Sequence, residues 1–228
     1  MNWGAVIVAA GRGTRFGRPK QLIEIAGRPM LAWSFETFAA MPEVGAIVVV
    51  TEREWLVAVS DVTSALAAQC EFAVVSGGAT RQASVRCGLD ALPELYDAVL
   101  VHDGARPLVR ADDVRAGMRE VRTGRAAVLA APVVDTIKVV DPQTMLVQRT
   151  LDRGTLWAAQ TPQFAMRAEL VRAHNAASAS ALEATDDVAL LEAVGIEVAS
   201  VPASVENFKV THPGDVARAQ VLLGASLK

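Results

Sequence analysis

The chain has 228 residues, of which 52% are apolar, and 22 Lys and Arg face 25 Asp and Glu for a formal net charge of −3. That length suits one α/β domain or two small ones with ample core. The slight negative charge argues against nonspecific nucleic-acid binding, which needs a basic face, and no run approaches the roughly 20 apolar residues of a membrane span. The first residues lead directly into a strand, without the basic, apolar and cleavage regions of a signal peptide. Cys70 and Cys87 stand apart, without metal-ligand spacing, and read as buried small apolar residues. A reduced, cytoplasmic protein is therefore expected.

The first predicted strand is Ala5–Ala9. It runs into AAGRGTRFGRPKQ, residues 9–21, where Gly11, Gly13 and Gly17 let backbone N–H groups approach a ligand closely. Four cations, Arg12, Arg15, Arg18 and Lys20, crowd the same loop of an otherwise acidic chain. A flexible, N–H-rich, basic loop at a strand end suits a polyphosphate. The dinucleotide fingerprint fails because its third glycine position holds Phe16, and a P-loop fails because Lys20 lies between Pro19 and Gln21. Pro19 fixes its own φ and presents Lys20 from a stiffened turn.

Helix follows: Leu31, Phe35 and Phe38 repeat at helical spacing between Pro29 and Pro42. Further strands are predicted at Ala46–Thr51, Phe72–Val75, Ala98–His102 and Ala127–Ala131, nearly all apolar, with helices between them such as the one marked by Val85, Leu89 and Leu92. This alternation signals βαβ units and a mostly parallel sheet covered on both faces. After Pro132 the rhythm changes. Asp135–Val140 and Leu146–Leu151 have strand character around the turn former Asp141-Pro142-Gln143-Thr144. They predict a β-arm, about residues 133–157, inserted into an α/β domain spanning residues 1–228. A lone hairpin carrying Val139, Val140, Leu146 and Val147 is marginal in water, so a second copy of the chain is its expected partner. Helices are expected again over Met166–Ala177, Asp186–Ala193 and after Pro213, with a strand at Glu197–Ser200. Trp33, Trp55 and Trp157 read as packing residues.

Ligands of such sheets sit beyond the carboxyl ends of the strands. VHDGARP, residues 101–107, ends one strand. There Asp103 can hold a divalent cation or a ribose hydroxyl, or instead cap the next helix, and Arg106 can grip a phosphate or pair with Asp103. Gly77-Gly78-Ala79-Thr80-Arg81-Gln82-Ala83-Ser84 opens a helix and either reads a base edge, partly through Ser84, or merely forms a turn and N-cap. His102 alternates away from the ligand side if Asp103 faces it, so it reads as structural. His174 and His212 lack partner spacing, and no nucleophile elbow is present. Of the 22 basic residues only Lys20, Lys138, Lys209 and Lys228 are lysines, which weakly marks the internal ones as places where a compact ammonium is required.

Six segments occur in order along nearly the whole chain: AAGRGTRFGRPKQ, VHDGARP, APVVDTIK, LDRGTLWAAQTPQ, TDDVALLE and ENFKVTHPGD. Together they resemble the bacterial 2-C-methyl-D-erythritol 4-phosphate cytidylyltransferases of the non-mevalonate isoprenoid pathway. The resemblance implies transfer of CMP from CTP to 2-C-methyl-D-erythritol 4-phosphate, giving 4-diphosphocytidyl-2-C-methyl-D-erythritol and pyrophosphate. It also implies a Rossmann-like fold, a divalent cation such as Mg2+, and a homodimer exchanging the arm. Residues matching the family's catalytic positions are Arg15, Lys20, Arg153 and Lys209. Ala9, Ala10, Gly11, Arg12, Gly13, Lys20, Gly78, Ser84, Asp103 and Gly104 match the CTP site. Asp103, Arg106, Thr136, Arg153, Thr161 and Lys209 match the acceptor pocket, and Asp103 is the candidate metal contact, directly or through water.

Two departures from the family stand out. Arg15 and Lys20 are only five residues apart, where many relatives have a longer loop, and Gly104 stands where the family often has Ala. The alternative acceptor is ribitol 5-phosphate. On fold alone an NAD-dependent oxidoreductase is a further alternative, opposed by the displaced glycine and the loop cations.

Overall fold

The computed structural model of the chain describes residues 1–11, 20–66 and 70–226. The first strand is β1 (Trp3–Val8). A small hairpin, β2 (Glu24–Ile25) and β3 (Arg28–Pro29), turns through Ala26 and Gly27, both at positive φ, as a tight two-residue connection demands. There follow α1 (Met30–Ala39), β4 (Val44–Thr51), α2 (Leu56–Ser64), β5 (Glu71–Ser76), α3 (Arg81–Ala91), β6 (Ala98–Asp103), α4 (Ala111–Glu120) and β7 (Arg125–Pro132). The arm strands are β8 (Lys138–Val140) and β9 (Val147–Thr150). The chain closes with β10 (Trp157–Met166), α5 (Arg167–Ser180), α6 (Asp187–Ala193), β11 (Glu197–Pro202) and α7 (Pro213–Ser226).

Among the described residues, seven strands form one sheet in the order β11-β7-β10-β6-β1-β4-β5. β1 pairs in parallel with both β4 and β6, and β10 runs antiparallel between β6 and β7. The order reverses at β1, because the chain moves outward to β4 and β5 and then returns to the other side of β1 as β6. Such a reversal opens a crevice at the strands' carboxyl ends.

Both faces of the sheet are covered. Ala5 and Ile7 of β1 pack with Leu31, Phe35 and Phe38 of α1, and the alternating Val6 packs with Val85 and Leu89 of α3. Phe164 of β10 is fully buried and meets the Trp3 ring edge-on at 6.0 Å. A smaller cluster seats α7 through Ala219 and Leu223 against Ile25, Met30 and Val210. Among the described residues, no helix is long and apolar enough to cross a membrane.

The strands expected in the first half of the chain are all present. The sequence reading missed β10, whose polar Gln160 and Thr161 and central Pro162 break the strand pattern. The sheet accommodates them because the register with β7 is interrupted between Ala159 and Gln163. The two cysteines are half-buried rather than buried.

The arm strands pair antiparallel but are shorter than expected. Their turn is built by the Asp141 carboxylate, whose Oδ1 accepts from the backbone N–H of Gln143 and of Thr144, both at 2.9 Å. Val134, Met145, Leu146 and Val147 are exposed, and so is Trp157 at the arm's base.

Candidate active site

At the reversal of strand order a cavity of about 510 Å³ lies between the ends of β1, β5 and β6. Ala10, Gly11, Lys20, Gly78, Ser84, Asp103 and Lys209 line it, which brings together much of the predicted nucleotide site. A polar recess of about 250 Å³ adjoins it, lined by Arg106, Thr161 and again Asp103 and Lys209.

The loop after β5 is shaped by close approach. A Cβ on Gly77 would stand 2.7 Å from Ser84 Oγ and 2.8 Å from the Ala10 side chain, so only glycine fits. Thr80 caps α3, accepting from the Ala83 N–H at 3.0 Å, and buried Ser84 Oγ accepts from the Gly78 N–H at 3.2 Å while donating to Thr80 O at 2.9 Å. Ser84 thus knits the turn that presents Gly78 to the cavity.

Asp103 ends β6 and is the electrostatic centre. Its Oδ1 accepts from Arg81 Nε at 3.2 Å, its Oδ2 lies 2.9 Å from Lys209 Nζ, and Arg106 Nε stands 3.7 Å from Oδ2. Burial by itself would raise the carboxyl's pKa, but Arg81, Lys209 and Arg106 hold it well below the usual carboxylate range. Asp103 is therefore a fixed anion among three cations. Arg106 is itself lowered, by burial first, with Asp103 opposing and Arg81 adding to the effect.

The neighbouring segment 207–210 is locked by Asn207, which is fully buried. Its Nδ2 donates to Gln160 Oε1 at 2.8 Å and to Thr161 O at 2.9 Å, and its backbone carbonyl accepts from Arg106 Nη1 at 2.8 Å. Val210 N–H donates to Ala105 O at 2.8 Å, and Lys20 Nζ donates to Val210 O at 3.1 Å. The segment thereby carries Lys209 to Asp103 and Lys20 to the cavity wall.

His102 is structural, as the strand alternation predicted. It is fully buried, edge-on to Phe38 at 5.1 Å, and burial pushes its pKa down to about 4 against the pull of Asp103. Its Nε2 lies 3.1 Å from Arg106 O, which can only accept, so Nε2 carries the proton. Nδ1 then accepts from the Thr161 hydroxyl at 3.1 Å, and that hydroxyl oxygen accepts from Asp103 N–H at 3.0 Å. The Thr161 proton is committed to His102. Thr161 can therefore offer a ligand an acceptor lone pair but no donor.

Other expected residues are placed differently. The amide N–H groups of Ala9 and Gly104 are already given to Val50 O at 2.7 Å and Val8 O at 2.9 Å, so neither donates to a nucleotide. Thr136 and Arg153 lie on the arm and line neither cavity nor recess; Arg153 Nη1 donates to Val134 O at 2.9 Å instead. Arg12, Gly13 and Arg15 lie outside the described residues.

Sequence reasoning gave no role to Arg81, which lines both cavity and recess, nor to Asp187, which pairs with it at 2.8 Å. Their signals were an arginine just after a double glycine and the second acid of TDD. Among the described residues no three His, Cys, Asp or Glu side chains stand together as a metal site. With both Asp103 oxygens on cationic partners, this donor set does not make a resident magnesium site.

A family model described as IspD, 2-C-methyl-D-erythritol 4-phosphate cytidylyltransferase, matches residues 4–225. The cytidylyltransferase of that name from Streptomyces coelicolor is 44% identical, over 96% of this chain and 84% of its own length. That from Salinibacter ruber is also 44% identical, over 95% and 91%. Among solved structures, 4-diphosphocytidyl-2C-methyl-D-erythritol synthase from Anaerococcus prevotii superposes with a TM-score of 0.86 at 27% identity, covering 98% of each chain. The cytidylyltransferase from Thermus thermophilus superposes at 0.76 with 33% identity, covering 97% of this chain and 98% of its own. With the crevice at β1 and β6 in the place this sheet topology dictates, these likenesses leave no room for a dinucleotide oxidoreductase: the chain belongs to the 2-C-methyl-D-erythritol 4-phosphate cytidylyltransferase family.

Proposed function

We propose that the cavity beside Lys20 and Gly78 receives CTP, and that the recess beside Arg106 and Lys209 receives 2-C-methyl-D-erythritol 4-phosphate. There the chain carries out the reaction of its family, forming 4-diphosphocytidyl-2-C-methyl-D-erythritol and releasing pyrophosphate for non-mevalonate isoprenoid synthesis. The observation that carries this assignment is the sharing of Asp103 and Lys209 between the two spaces. A group shared in this way sits where donor and acceptor must meet.

The chemistry is an in-line displacement: an acceptor phosphate oxygen attacks the α-phosphorus of CTP, and the bond to the pyrophosphate oxygen breaks. A phosphate is ionised near neutral pH, so the attack needs no general base. Both nitrogens of His102 are committed, in keeping with that. Charge grows on the α-phosphate oxygens and the leaving pyrophosphate, where Lys20 and Arg15 stabilise it. A magnesium ion brought in with CTP would supply neutralisation of the triphosphate's charge. Arg106 and Lys209 hold the acceptor's phosphate.

Thr136 and Arg153 reach the acceptor from the arm of a second copy. Support for this homodimer is the arm's exposed apolar surface and the position of both residues away from their own chain's recess. The test is pyrophosphate release from CTP and magnesium with 2-C-methyl-D-erythritol 4-phosphate, with ribitol 5-phosphate in parallel. Release with the first acceptor alone is expected. Release with ribitol phosphate alone overturns the acceptor and keeps the CTP site.

A further inference from the structure

Asp103 is held by cations of two kinds. Lys209 presents a compact ammonium on a side chain that is 41% exposed, whereas Arg81 presents a guanidinium fixed from two directions. Arg81 is the first residue of α3, next to the Thr80 cap. Its Nε donates to Asp103 Oδ1, and its Nη1 stands 2.8 Å from Oδ2 of Asp187, whose side chain is 2% exposed.

Asp187 is itself immobilised. It begins α6, which Asp186 caps by accepting from Ala189 N–H at 3.1 Å, and Gln163 Oε1 accepts from the backbone N–H of Asp187 at 2.8 Å and of Val188 at 3.1 Å. His174 Nε2 lies 3.5 Å from Asp187 Oδ1 on the far side. One guanidinium thus ties β6, α3 and α6 together. Among the described residues, only Arg81, Asp103 and Lys209 line both cavity and recess.

We propose that Arg81, braced by Asp187, is the positioning residue that keeps Asp103 aimed at the junction of the two substrates. The proposal rests on the acceptor site assigned above. When an anionic acceptor enters the recess, Lys209 and Arg106 turn their donors to its phosphate. Asp103 would then lose counter-charge in a buried site, where an unpaired carboxylate is costly. Arg81 remains, because its other end is held by a carboxylate the acceptor does not reach. Lysine cannot replace it, since one ammonium cannot hold two carboxylates in a planar fork.

The test is a double-mutant cycle in the full-length protein with Arg81→Lys and Asp103→Asn. Arg81→Lys keeps the positive charge and so avoids leaving Asp187 unpaired. It is expected to lower kcat/KM for the acceptor by about 10–100-fold, chiefly through KM, as misplacement of a binding group does. In the Asp103→Asn background the same change is expected to cost less than about twofold, because Arg81 acts through Asp103. Multiplying losses in the double variant would overturn the proposal. Turnover by the unaltered protein is the control for the functional reading, which fails by itself if that turnover is absent. Crystals of the Arg81→Lys protein then decide the positioning role: an Asp103 carboxylate swung towards Lys209 and Arg106 sustains it, and an unmoved one overturns it.

Discussion

The end of β6 and the β8–β9 arm invert the usual distribution of charge and oil. At β6, Asp103, Arg81 and Arg106 are held largely out of solvent, and the Asp103 carboxylate lies within ion-pair distance of Arg81, Arg106 and Lys209 of the same chain. On the arm, Val134, Met145, Leu146 and Val147 face outward. A buried charge persists because its partners are already present; an exposed apolar strand pair is marginal without a covering surface. The contrast separates a charged cluster whose partners one chain supplies from an arm whose apolar side chains that chain leaves open.

The largest effect is expected from removing the cations assigned to the transition state. Lys20→Ala, and equally Arg15→Ala, should lower kcat by about 10²-fold or more, as loss of a transition-state donor does. Single-turnover pyrophosphate release measures this, and an undiminished rate removes that residue from the mechanism.

His102 tests the same region through pH. Its folded pKa of about 4 lies below the ordinary 6.5, so the unfolded chain binds the proton more readily between these values. The stability His102 contributes is fully present above pH 6.5 and is lost as pH falls towards 4, by up to about 3 kcal/mol. Urea unfolding should show the gap between the unaltered protein and His102→Gln narrowing over that range. A gap independent of pH would mean that His102 is not held neutral.

The arm half should respond more mildly. Arg153→Ala should weaken acceptor binding about tenfold, near the 1.4 kcal/mol of one charge-assisted hydrogen bond. If arms are exchanged, mixing it with Lys20→Ala creates dimers with one intact site, and turnover at low acceptor concentration exceeds the sum of the two variants measured apart. A mixture no more active than that sum would place the whole site within one chain and dissolve the contrast between the regions.

Much of the fold was legible in short stretches of chain. β1, β4, β6 and β7 are buried on both faces and so appear as nearly unbroken apolar runs. That Lys20, Asp103, Arg106 and Lys209 gather at the strand ends was also legible, from residue type and from the order of the six segments. β10 was not, because Gln160 and Thr161, which line the recess, and Pro162 break the strand's pattern. The sequence by itself thus determined most of the sheet's strands and which family the chain belongs to, since those signals reside within a few neighbouring residues.

Only the tertiary structure decided that Lys209 meets Asp103, that Thr161 gives its proton to His102, and that Arg81 bridges Asp103 and Asp187. These contacts join residues far apart in sequence. They exist only because strand order places β6 beside β10 and the fold lays α3 and α6 on the same face of the sheet, which no local periodicity encodes.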